Sequence, residues 1–142
     1  MIEGLSHITF IVRDLDRMTA ILEGVFDARE VYASDAKQFS LSREKFFLIG
    51  DLWIAIMLGE PLPERSYNHI AFKIDDADFD RYTERVGKLG LDMRPPRPRV
   101  EGEGRSIYFY DGDNHLFELH TGTLAERLAR YAKELELSLI HI

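Results

Sequence analysis

The sequence contains no cysteine. That absence removes disulfide frameworks, thiolate nucleophiles and sulfur ligands together. Any metal site must then be built from His, Asp and Glu, a donor set that suits Mn2+, Fe2+, Zn2+ or Ni2+. Positive charge is also short: 18 Lys and Arg stand against 25 Asp and Glu, and the formal net charge of −7 argues against a nucleic-acid partner. No apolar run approaches the ~20 residues that a membrane span needs, and the first residues lack a basic-then-apolar signal pattern. No membrane partner and a cytoplasmic location are therefore expected. Proline is scarce, and all five prolines fall in two stretches, 59–65 and 95–104. An apolar content of 45% over 142 residues is enough to bury one core, as a single domain or as two fused half-domains.

What is present is a near-repetition. His7-Ile8-Thr9-Phe10-Ile11-Val12-Arg13-Asp14 returns 62 residues later as His69-Ile70-Ala71-Phe72-Lys73-Ile74-Asp75-Asp76. The same offset carries Phe47 to Phe109, Gly50 to Gly112, Asp51 to Asp113 and Ile56 to Glu118. Two copies of one unit suggest a paired scaffold with a site between the halves.

Each copy opens on a β-branched and aromatic stretch bounded by polar residues, which reads as a strand. Alternation puts His7 and Thr9 on one face and Ile8 and Phe10 on the other. An Asp-rich turn follows, then helices over 16–26, with Met18, Ile21, Leu22 and Val25 as one stripe, and over 78–89, ending at Gly90. Further strands are expected at 29–33, 37–49 and 52–58, then at 91–94, 105–110 and 115–120. Gly50-Asp51 and Gly112-Asp113 mark hairpins at matching places. The expected fold is α+β: two pseudo-symmetric βαβββ modules (1–60 and 66–122) whose curved mixed sheets form a metal-centred cavity. A linker spans 61–65, within the proline-containing stretch 59–65. The polar loop 95–104 is a candidate lid. A last helix, 123–136, begins where Thr123 and Glu126 have capping-box spacing. Residues 137–142 break the pattern and resemble the translation of a transposase adapter used in sequencing libraries, so this tail, with His141, is expected to be foreign to the protein.

In a pseudo-twofold structure, positions 7, 56, 69 and 118 are expected to be equivalent in pairs. Three hold His7, His69 and Glu118, and the fourth is Ile56. Two imidazoles and a carboxylate, with coordination positions left open, form a catalytic type of metal site. Taken singly, each histidine fits an ordinary strand residue better than a ligand. His120, two residues after Glu118 and on its face, is placed either to support the metal ligands from behind or to compete with them, but it and His115, just after a hairpin turn, read as structural rather than ligating.

These features resemble the vicinal oxygen chelate superfamily. Within it, the chain resembles the fosfomycin-resistance proteins from end to end apart from the tail. The strongest match is Ser106-Ile107-Tyr108 through Glu118-Leu119-His120-Thr121-Gly122, followed by Leu124-Ala125-Glu126-Arg127-Leu128. Ser42-Arg43-Glu44-Lys45-Phe46-Phe47 is most similar to the FosX type, Mn2+-dependent hydrolases of the fosfomycin epoxide. The resemblance implies that His7, His69 and Glu118 bind Mn2+ or another divalent metal, and that Glu44 is the general base. It also implies that Thr9, Ser106, Tyr108 and Arg127 contact a small phosphonate epoxide, arginine being suited to oxyanions. Finally it implies a domain-swapped homodimer in which His7 reaches the site from one subunit and the other ligands from its partner. On residues alone, Glu44 fits a solvated charge in a turn, and Arg127, Arg94, Arg97 and Arg99 fit solvated side chains.

Thiol-transferring relatives act on the same epoxide, and the glutathione-using type has a potassium-binding loop of Ser-Glu-Gly character with a nearby lysine. Here 99–105 has Gly102 where that serine falls and no lysine, although Glu103 is retained. A thiol transferase, a glyoxalase-like isomerase, an extradiol dioxygenase and a non-catalytic drug-binding protein remain the alternatives.

Overall fold

The computed structural model describes residues 1–34, 42–98 and 100–140. Two units organise the chain. The first comprises 1–66 together with 111–115, and the second comprises 67–110 with 116–142.

In the first unit, β1 (His7–Val12) leads into α1 (Leu15–Phe26), then β2 (Arg29–Ala33), β3 (Glu44–Ile49) and β4 (Leu52–Leu58). Asp14 caps α1 by accepting a hydrogen bond from the Arg17 N–H at 3.0 Å, satisfying one of the helix's unpaired donors. Asp27 ends the helix in the left-handed region at φ 54°. The sheet order is β1-β4-β3-β2, with β1 and β4 parallel and the other pairs antiparallel. Leu15, Met18, Ile21, Leu22, Val25 and Phe26 of α1 are buried, as are Phe10, Val12, Phe47, Ile54 and Ile56 of the sheet. Burying each such side chain contributes roughly 1.5–3 kcal/mol before conformational entropy is counted. Part of the expected strand 37–49 lies outside the described residues, and β3 is described from Glu44.

The second unit follows the same plan with β5 (His69–Lys73), a 3-10 turn (Asp76–Asp78), α2 (Phe79–Lys88), β6 (Asp92–Met93), β7 (Ser106–Tyr110) and β8 (Leu116–His120), in the order β5-β8-β7-β6. Phe109 and Phe117 stack at 5.5 Å in its core beside the fully buried Val86. The last helix, α3 (Leu124–Ile140), starts as the capping-box spacing predicts: the Glu126 N–H donates to Thr123 Oγ1 at 3.1 Å. It runs past residue 136, because Leu137, Ser138, Leu139 and Ile140 offer nothing that breaks a helix. Residues 141–142 lie outside the described residues.

One expectation is corrected by the register. His7 pairs with Trp53 and Thr9 with Ala55, whereas His69 pairs with Leu116 and Ala71 with Glu118. The equivalent of Glu118 is therefore Ala55, not Ile56. Strands β3 and β7 keep the 62-residue offset, because Phe46 pairs with Ala55 as Tyr108 pairs with Glu118. The slip arises in the second hairpin, whose turn is one residue longer and contains Asn114 at φ 69°. That turn is tightly held. Asp111 Oδ1 accepts from the N–H groups of Asp113 and His115, and the Arg13 backbone and side chain both donate to Asp113.

Ile56 consequently faces α1 at 0% exposure, while Thr9 faces outward. Ile56→Ala is expected to lower unfolding free energy in urea by about 2–5 kcal/mol. Thr9→Ala should change it by less than about 0.5 kcal/mol. Equal effects of the two substitutions would refute this register.

Candidate metal centre and anion pocket

Alternation along β8 sends Phe117 and Leu119 into the core and turns Glu118 and His120 to the opposite face. The β7 register then sets Tyr108 beside Glu118 and Ser106 beside His120. His69 opens β5 on the same face. Its Nε2 lies 3.0 Å from Glu118 Oε1, and its Nδ1 lies 2.7 Å from the Tyr67 carbonyl oxygen. A carbonyl can only accept, so Nδ1 carries the proton. In the neutral ring, Nε2 then presents a lone pair toward a carboxylate oxygen. Two electron-rich atoms at that distance need a cation or a proton between them. The residues present therefore fit a divalent ion, with the ring oriented from behind by a backbone carbonyl as metal-binding imidazoles usually are.

Glu118 is 5% exposed, so its charge requires compensation. Its other oxygen, Oε2, accepts a hydrogen bond from Ser106 Oγ at 2.6 Å. The Tyr108 phenol is hydrogen-bonded to Glu118 and to Tyr67, the latter at 3.2 Å. Beyond this cluster lies a cavity of about 400 Å3 bordered by Arg94, Arg97, Arg105 and Arg127. Arg105 is tied to Asp76 at 3.0 Å and lies over the Phe79 ring, while Arg97 reaches the Tyr67 hydroxyl at 3.5 Å. Arg127 Nη2 comes within 3.4 Å of His120 Nε2. The guanidinium groups around this recess, of which Arg105 and Arg94 are already paired with Asp76 and Asp92, favour an anionic ligand.

In the first unit, His7, Thr9 and Glu44 share the sheet face turned away from α1. His7 stacks on Trp53 at 4.1 Å and lies 3.0 Å from Ser6 Oγ. Glu44 opens β3 at 8% exposure, so it is a buried strand carboxylate and not a solvated turn residue. Ser34 fixes its backbone, accepting from the Glu44 N–H at 2.8 Å and donating to the Glu44 carbonyl at 3.2 Å. Lys45 points the other way, to Glu30 at 2.9 Å and Thr19 at 3.3 Å.

The structure thus gathers His69, Glu118, Ser106, Tyr108 and Arg127 in the second unit, and places His7, Thr9 and Glu44 on one face of the first. Among the described residues, no three His, Asp or Glu side chains of one chain converge as a ligand set. Arg99 lies outside the described residues. Tyr67, which the sequence reading passed over, joins this cluster through its carbonyl oxygen at His69 and its hydroxyl at Tyr108. Its signal was its position two residues before His69, on the approach to the same strand.

Burial is the main cause that pushes the Tyr108 phenol up from its ordinary value, with the Tyr67 hydrogen bond and the Glu118 charge adding to it. The fold therefore favours the protonated phenol. Its contribution to stability is complete below the usual phenol value of about 10 and is lost as pH rises beyond it. In metal-free protein, an alkaline titration followed by tyrosinate absorbance should show a phase above the ordinary phenol range. Tyr108→Phe should remove that phase.

Comparison with known proteins converges with this geometry. Residues 4–119 match the Glyoxalase/Bleomycin resistance protein/Dioxygenase superfamily model. The chain is 88% identical over 136 residues to the fosfomycin resistance protein FosX of Mesorhizobium japonicum, covering 96% of this chain and 98% of that protein. It is 38% identical over 147 residues to the metallothiol transferase FosB of Shouchella clausii, covering 100% of this chain and 96% of that one. A mutant FosX from Listeria monocytogenes, crystallised with Mn(II) and 1S,2S-dihydroxypropylphosphonic acid, superposes with a TM-score of 0.83 at 62% identity, covering 92% of this chain and 99% of that one. Repeated βαβββ units, a His–Glu pair on the open face of a mixed sheet and these relatives agree: the chain belongs to the glyoxalase/bleomycin resistance protein/dioxygenase superfamily.

Proposed function

We propose that this protein inactivates fosfomycin by opening its epoxide with water, giving the vicinal diol, and that it does so with Mn2+. The single observation that carries this is the 88% identity to a FosX protein across nearly the whole chain, set against 38% to a thiol transferase. A diol of propylphosphonic acid bound with Mn(II) in another FosX supports hydrolysis as the reaction class. The four-arginine recess beside the His69–Glu118 pair suits the phosphonate.

In this reading His69 and Glu118 hold the metal together with His7 from the partner of a domain-swapped homodimer. When bound, the divalent ion supplies Lewis acidity toward the epoxide oxygen. The protein's own groups do the rest. Arg127, Tyr108 and Thr9 bind and orient the phosphonate, and Tyr108, held in its protonated form, adds no negative charge beside it. The Glu44 carboxylate takes a proton from water as the water oxygen bonds to an epoxide carbon. The carbon–oxygen bond of the ring breaks, and the released oxygen takes a proton from solvent to become the second hydroxyl, while Glu44 returns the proton it took to solvent, so no net proton is consumed.

Phosphorus NMR of fosfomycin with Mn2+-loaded protein should show diol formation without any thiol, and chelation should stop it until Mn2+ is restored. Turnover only when glutathione is added would make the protein a transferase instead. Glu44→Gly should lower kcat by about 10²–10⁴-fold with Mn2+ still bound. Mixing inactive His7→Ala and Glu118→Ala chains should restore about a quarter of wild-type activity, because random pairing gives half heterodimers, each with one intact site. No recovery in the mixture would argue against shared sites.

A further inference from the structure

Every member of one side-chain file in the second unit has its hydrogen-bonding role fixed by its neighbours. Ser106 Oγ lies 2.6 Å from Glu118 Oε2 and 2.7 Å from His120 Nδ1, which is itself 3.4 Å from the same carboxylate oxygen, so Ser106 makes the shorter link between them. A carboxylate only accepts, so the single hydroxyl proton of Ser106 goes to Glu118. The hydroxyl must then accept from His120, which places the ring proton on Nδ1 and leaves Nε2 as an acceptor. Arg127, which can only donate, lies 3.4 Å from that Nε2. The file runs in one direction: Arg127 to His120 to Ser106 to Glu118. Gly122 keeps its middle open, because a Cβ there would lie 2.7 Å from His120 Nε2 and 2.5 Å from the Glu103 carbonyl oxygen.

We propose that His120 is a positioning residue with two separable duties. Through Nδ1 and Ser106 it orients the Glu118 carboxylate for the metal, and through Nε2 it aims the Arg127 guanidinium into the anion recess. Ser106 is on this account a holder of the carboxylate and not a contact of the phosphonate, since its only proton is already directed to Glu118. The inference rests on the metal and anion roles given above, but not on hydrolysis.

The two duties can be cut independently. Asparagine places its amide nitrogen near the position of Nδ1 but does not reach Arg127, whereas glutamine places an acceptor near Nε2 but leaves Ser106 without its donor. Each variant is read by calorimetric binding of inorganic phosphate to metal-free protein and by Mn2+ titration followed by electron paramagnetic resonance. His120→Asn should weaken phosphate about three- to tenfold and keep Mn2+ affinity near that of wild type. His120→Gln should weaken Mn2+ by about tenfold and spare phosphate. Ser106→Ala, a small change less apt to disturb folding, should behave like His120→Gln. Parallel losses of both ligands in all three variants, or no change in any, would overturn the proposal. So would a loss of phosphate affinity in Ser106→Ala. A wild-type protein that binds neither probe overturns this inference and the metal reading alike. One that binds both yet leaves fosfomycin intact overturns the hydrolase alone.

Discussion

A carboxylate held at 5% exposure would by itself cost several kcal/mol, and the second unit is arranged around offsetting that cost at Glu118. One oxygen takes the Ser106 hydroxyl at 2.6 Å, the other faces His69 Nε2 at 3.0 Å, and Tyr108 adds its phenol. The partners come from the two other strands of the site, Ser106 and Tyr108 from β7 and His69 from β5. The alignment of β5, β8 and β7 is therefore a condition of the site and not a background to it. A one-residue slip of β8 would send Glu118 into the Phe109–Phe117 core.

The two units show how little has to change for a duplicated scaffold to become asymmetric. Glu118 corresponds to Ala55, Tyr108 to Phe46 and Ser106 to Glu44. The second unit thus carries the groups that stabilise a buried charge and border an arginine-lined recess. The first carries an aromatic platform, with Phe46 and Trp53 at 5.1 Å beside His7, and a carboxylate with its backbone braced by Ser34.

Much of the fold was legible because its signals are local. Period-two alternation marked β1 and β5 from His7 and His69, the apolar stripe Met18–Ile21–Leu22–Val25 marked α1, and Thr123 with Glu126 marked the start of α3. Each depends on neighbours within one or two turns of chain. The superfamily could be read for the same reason, since its ligand-type residues sit at fixed places on those elements.

What the sequence by itself determined was the order of elements, the repeat and the identity of the metal-type residues. What only the tertiary structure decided was which atoms those residues face. The 62-residue offset pointed to Ile56 as the counterpart of Glu118, because an extra turn residue leaves no trace in hydrophobic periodicity. Strand pairing alone reveals it, and moves the correspondence to Ala55. Ser106 and His120 looked like a pocket contact and a structural histidine, yet lie 2.7 Å apart between Glu118 and Arg127. Hydrogen-bond direction is a property of positions in space, and residues 12 or 14 apart in sequence acquire it only when the hairpin closes.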